Sequence, residues 1–150
     1  MKYSHNNLSP LDNRYRDKIS DITECFSEYA LIKIRFVIEI EWLIFLCTNY
    51  PKKFKPLSKA SISKLKKFQT NFSDKDVVKI KNIEKKTNHD VKAVEYFIRD
   101  YFKKDKNLTK YINLIHFGLT SEDVNSLSYA VMIKNGNKIL IKKVSNLITL

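Results

Sequence analysis

A chain of 150 residues with 43% hydrophobic and 29% charged residues has the balance of one globular unit, which excludes a disordered segment. Two glycines and three prolines are too few for a turn-rich β-sandwich or barrel and favour long helices. The net charge of +12 admits a polyanion partner, yet only four of the 28 basic residues are arginine, the side chain that base readout and phosphate clamps favour. A solvated lysine face with A/T-biased coding is the preferred account of that charge.

The opening Met1-Lys-Tyr-Ser-His-Asn6 lacks the apolar core of a signal peptide, which points to a cytoplasmic protein and leaves His5 in a mobile tail. Leu8-Ser-Pro-Leu-Asp-Asn-Arg-Tyr15 carries turn signals. Its Arg14 and Tyr15 either clamp a phosphate or anchor the arm by ion pairing and packing. From Ile19 to Tyr50 the pattern predicts one or two packed helices, with Ile34, Val37, Ile38, Glu41, Leu43, Phe45 and Leu46 in rhythm, until Pro51 stops the run. Lys33, Arg35, Glu39 and Glu41 interrupt the apolar stretch from Ala30 to Cys47 and exclude a membrane span. Cys25 and Cys47 lie in apolar, helix-like contexts without CxxC or metal-ligand spacing, so two buried thiols in a reduced compartment are expected, and no metal.

Lys52 to Lys67 is rich in lysine and reads as a solvated loop and helix or as a nucleic-acid contact. Ser73 and Asp76 form a capping box for a helix through Ile83. Val91, Val94, Phe97, Ile98 and Tyr101 then mark an amphipathic helix, followed by an apolar stretch from Leu108 to Phe117 in which His116 is expected as a satisfied, packed residue. A last helix starts after Thr120 and is still in pattern at Leu150. Asn135-Gly-Asn137 reads locally as a turn within it.

Two places share one design. Thr87-x-x-Asp90 and Thr120-x-x-Asp123 are each a capping box ahead of an apolar stripe, and a helix start offers unpaired N–H groups and a positive dipole end to an anion. His89 in the first can donate to an oxyanion or exchange a proton near neutral pH. Thr120 and Ser121 add hydroxyls in the second, while Glu122 and Asp123 are explained as capping and dipole partners. Capping alone accounts for either box taken singly.

Longer words add to this. Ser9-Pro-Leu-Asp-Asn-Arg-Tyr15, Phe26-Ser-Glu-Tyr29, Glu39-Ile-Glu-Trp-Leu43, Thr87 to Phe97 and Ile115 to Ala130 follow in order, and together they resemble the amino-terminal third of bacterial adenylosuccinate lyases, within the fumarase/aspartase superfamily. Asn13 stands where that family has glycine, Lys86 replaces a threonine and Ser126 an asparagine. The resemblance implies an all-α fold, with a small helical amino-terminal domain (1–111) and the start of a long-helix bundle domain (112–150), and with Gly136 inside a helix rather than a turn. The helix is preferred there. It further implies a homotetramer, nucleotide substrates, no cofactor, and elimination of fumarate by C–N cleavage from adenylosuccinate and from succinyl-aminoimidazole-carboxamide ribotide.

Carried over by position, Arg14 and Tyr15 would bind the nucleotide end, Asn88, His89 and Asp90 would line the substrate with His89 assisting catalysis, and Thr120 and Ser121 would hold a carboxylate. The family's main catalytic histidine and serine segments would lie beyond residue 150, so the chain alone is expected to be inactive. A basic nucleic-acid-binding helical module and a non-catalytic truncated subunit are the alternatives.

Overall fold

The computed structural model describes residues 9–149. His5 and its predicted tail lie outside them. Among the described residues there are six α-helices, three short 3-10 segments and no strand, which agrees with the all-α expectation.

The apolar run after Ile19 is two helices. α1 (Ser20–Phe26) gives way to α2 (Glu28–Asn49) at Ser27, whose extended backbone (ψ 161°) breaks the first helix and whose Oγ accepts from Ala30 N at 3.2 Å to start the second. The buried face of α2 differs from the stripe the sequence suggests. Ile32, Arg35, Phe36, Glu39, Ile40, Leu43, Leu46 and Cys47 are buried, whereas Ile34, Val37, Ile38 and Glu41 are half-buried and Phe45 is exposed. α2 is apolar nearly all round, so sequence periodicity cannot choose its inner face; the neighbours choose it.

α3 (Lys59–Thr70) is capped by Ser58, whose Oγ accepts from Ser61 N at 3.1 Å. The Asp76 carboxylate accepts from Ser73 N and Oγ at 3.1 and 3.0 Å and opens α4 (Asp74–Thr87), which runs four residues past the predicted Ile83 end. Asn88 then adopts a left-handed conformation (φ 51°), the kind of backbone that asparagine tolerates, and turns the chain into α5 (Asp90–Lys103). A 3-10 segment (Thr109–Leu114) leads to α6 (Ser121–Ile148).

Phe36 on α2 is the centre of the core. Its ring meets Phe68 edge-on and Phe72 face-on at 4.8 Å each, with Phe97 at 5.9 Å, so α2, α3, α5 and the segment before α4 share one aromatic cluster. Tyr101 stacks on Phe68 at 3.6 Å, and buried Tyr111 donates from its hydroxyl to Pro56 O at 2.7 Å. Cys47 is buried within this core, and burial pushes its thiol pKa up; Cys25 is only half-buried, contrary to the paired expectation.

α6 lies across α1 and α2 and passes through Asn135-Gly-Asn137 without a break, so the local turn signal is overridden. The close approach of α1 accounts for the glycine. A Cβ at position 136 would lie 2.4 Å from the Phe26 ring, and Gly136 is buried. Gly136→Ala should therefore gain little of the usual ~1 kcal/mol helix-propensity advantage of alanine over glycine, and should gain most of it once Phe26 is also alanine. Urea midpoints of the two single variants and the double variant measure this coupling; strict additivity would contradict it.

Candidate active site

The start of α5 departs from the predicted capping box. Thr87 is the last residue of α4, and its hydroxyl lies 3.2 Å from both Ile83 O and His89 O. The N-cap is His89, whose Nδ1 accepts from Lys92 N at 3.3 Å, while Asp90 Oδ1 accepts from Val91 N at 2.8 Å. The first amides of α5 are thus occupied by their own caps, and this helix start offers an anion less than its sequence suggests. What it presents instead is a histidine with a defined tautomer. Because Nδ1 accepts, the neutral ring carries its proton on Nε2.

At the start of α6 the capping box forms as expected. Thr120 N donates to Asp123 Oδ2 at 2.7 Å, and Thr120 Oγ1 accepts from Asp123 N at 3.3 Å while also bonding Asp123 Oδ2 at 2.7 Å. The Thr120 amide and hydroxyl together hold the Asp123 carboxyl below its usual range. Thr120 is therefore committed to the cap, and the half-buried Ser121 is the hydroxyl that the cap does not use. The two segments meet there: His89 Nε2 lies 3.4 Å from Ser121 Oγ, with the imidazole about half exposed. A proton donor on His89, a hydroxyl on Ser121 and the first amides of α6 converge on one surface, a set suited to a carboxylate or phosphate.

Behind that surface stand charges to which the sequence reading gave no part in the site. Buried Arg35 reaches Asp90 Oδ2 through an Nη at 2.8 Å. Burial would raise the Asp90 pKa, but the Val91 amide and the Arg35 guanidinium outweigh it and hold the carboxyl below its usual range. Fully buried Glu39 bonds His116 Nδ1 at 2.6 Å, and His116 itself sits at φ 62° in the turn leading to α6. The expected packed, satisfied histidine is thus an ion-pair partner, its pKa raised chiefly by the hydrogen bond to Glu39. The sequence signal was present: two opposite charges four residues apart inside an apolar helix need partners once buried.

The pH consequence has a definite sign. A histidine whose folded pKa is raised contributes stability that is complete below its unfolded pKa of about 6.5 and is lost as pH rises through the folded value. Asp90 and Asp123, with lowered pKa values, act at the other end, losing their contribution only as pH falls through the carboxylate range. Urea midpoints should decline from about pH 6.5 upward, and the decline should flatten in Glu39→Gln; an equal slope in both proteins would contradict the assignment.

Arg14 and Tyr15 are not brought to this pair. They lie between the first two 3-10 segments, both exposed, with the guanidinium 5.5 Å from the centre of the Tyr15 ring. Asn88 is exposed at the α4–α5 turn beside His89. In the lysine-rich stretch, Lys64 and Lys66 are engaged by Asp105 and Glu41. Among the described residues no group of three or more His, Cys, Asp or Glu side chains is placed to hold a metal, and no helix is long and apolar enough to cross a membrane.

Comparison with known proteins bears on what such a surface serves. The sequence profile of the family described as Lyase matches residues 13–150. The chain belongs to the Lyase family. Among its relatives, the adenylosuccinate lyase of Buchnera aphidicola subsp. Schizaphis graminum (strain Sg) is 39% identical over 144 residues, which cover 93% of this chain and 32% of that protein. Those of Haemophilus influenzae (strain ATCC 51907 / DSM 11121 / KW20 / Rd) and Escherichia coli (strain K12) are 42% and 44% identical over 84% and 85% of this chain, and over 28% of their own lengths. The chain spans about a third of the length of the curated relatives it matches.

Proposed function

We propose that these 150 residues form the substrate-holding part of an adenylosuccinate lyase. The observation that carries the reading is the 3.4 Å approach of His89 to Ser121, which joins two segments 32 positions apart into one polar surface, in a chain similar to adenylosuccinate lyases along most of its length. The reaction is elimination of fumarate. A base takes a proton from the succinyl carbon β to the departing nitrogen, the electron pair of that C–H bond becomes the C=C bond, and the C–N bond breaks as an acid protonates the leaving amine. Adenylosuccinate would give AMP, and succinyl-aminoimidazole-carboxamide ribotide would react in the same way, without a cofactor.

In this reading Ser121 and the α6 amides hold a substrate carboxylate, with Thr120 fixing their geometry as cap. His89 donates from Nε2 to an oxygen or the leaving nitrogen, and Asn88 and Asp90 line the same edge. Arg14 and Tyr15 bind the nucleotide end, which requires them to meet substrate from elsewhere in the assembly. The principal acid and base come from outside these residues. We divide the chain into a first helical domain over 1–111 and the start of a bundle domain over 112–150, and assign the assembly as a cytoplasmic homotetramer. The outward stripe of α6, where Ile141, Leu147 and Ile148 are 66%, 70% and 78% exposed, supports an oligomer.

The test is a fusion in which this chain replaces the matched 28% of the E. coli relative. Fumarate release from adenylosuccinate is the expected result. A folded fusion with no turnover, beside an active parent, would overturn the reading.

A further inference from the structure

The site has a frame behind it. Arg35, Glu39 and Trp42 stand at positions i, i+4 and i+7 of α2, so they form one stripe along that helix. Each holds a different point of the site's two loops. Arg35 holds Asp90, next to His89, at 2.8 Å; Glu39 holds His116 at 2.6 Å; Trp42 Nε1 donates to Phe117 O at 2.8 Å. The His89–Ser121 contact closes the circuit from the solvent side.

We propose that Arg35 and Glu39 are positioning residues, with Trp42 as their accessory, that set the distance between His89 and Ser121 by tying the start of α5 and the turn before α6 to a single rigid helix. The inference rests on the reading that His89 and Ser121 contact substrate. Three features favour positioning over a purely structural role. Arg35 and Glu39 are 4% and 1% exposed, and each keeps one buried polar atom, Arg35 Nε and Glu39 Oε2, without a hydrogen-bond partner among the described residues. Apolar side chains in such places serve stability as well or better, so fixed geometry is what the charges add. The His116 backbone is left-handed, a conformation costly for a residue with a Cβ, and the Glu39 carboxylate and Trp42 indole hold the turn that contains it. The Arg35–Asp90 and Glu39–His116 links also leave α2 one helical turn apart, so a rotation or slide of α2 would move both loops together.

The experiment has two arms. In the 150-residue chain, nuclear Overhauser contact between the His89 ring and the Ser121 methylene should be visible, and should be lost in Arg35→Gln and Glu39→Gln while melting stays cooperative. Contact that persists in both folded variants would overturn the proposal. Trp42→Phe, which removes one hydrogen bond and little volume, should weaken the contact and decides the matter if Glu39→Gln fails to fold; an unchanged contact there would also count against it. In the fusion enzyme, Glu39→Gln should lower kcat by about 10²-fold, the scale of an ångström-sized misplacement, and Arg35→Lys should recover part of what Arg35→Gln loses. Unchanged kcat in both glutamine variants would overturn a positioning role. An unaltered fusion without turnover would sink the functional reading alone, leaving the contact measurement to judge the frame.

Discussion

His89→Ala, made in the fusion enzyme, is expected to lower turnover of adenylosuccinate by about two decades or more, the usual scale for a lost general acid or base. The structure adds a second, smaller effect. His89 is also the N-cap of α5 through Nδ1, so alanine should cost about 1 kcal/mol of stability. His89→Asn separates the two roles. Asparagine is among the best N-caps and should restore the melting temperature, yet it has no ionisable ring in place of Nε2, so turnover should stay low. Recovery of turnover by asparagine would make His89 a capping residue only, and near-normal turnover in His89→Ala would remove it from the chemistry.

Phe36→Ala should be the most damaging core substitution, costing about 3–5 kcal/mol. Phe36 has no exposed surface, and its ring touches Phe68, Phe72 and Phe97 together. Alanine would leave a cavity where three elements meet, and stacked rings cannot collapse into it without leaving their rotamers. Against a typical total of 5–15 kcal/mol this is a large share. Urea unfolding of the chain measures it; a midpoint close to that of the unsubstituted chain would mean that the aromatic cluster does not carry the fold. The same loss would tilt α2 and with it Arg35 and Glu39, so His89–Ser121 contact should disappear in any Phe36→Ala molecules that remain folded.

Helices with one polar face were legible from the sequence. Val91, Val94, Phe97 and Ile98 are buried on α5 as their spacing requires, and the boxes at Ser73 and Thr120 start helices where expected. α2 was not legible in the same way, because a helix apolar on nearly every side gives no phase, and its charged residues read as interruptions. Arg35 and Glu39 belong to its inner face only because Asp90 and His116, more than fifty positions away, come back to meet them. Thr87 shows the converse error: a correct motif for a cap, set aside because Asn88 can turn left-handed and lets His89 take the capping position. Gly136 was ambiguous for want of Phe26, a neighbour 110 positions earlier. That His89 and Ser121 approach each other could not be read from either segment alone, since it depends on how α5 and α6 are both fixed to α2.

Whether His89 and Ser121 hold substrate is decided by locating adenylosuccinate in a crystal of the fusion enzyme disabled for turnover. A substrate oxygen is expected within hydrogen-bond distance of Ser121 Oγ and the first amides of α6, with His89 Nε2 directed at the same molecule. Substrate bound elsewhere, with His89 and Ser121 still facing only each other, would contradict it.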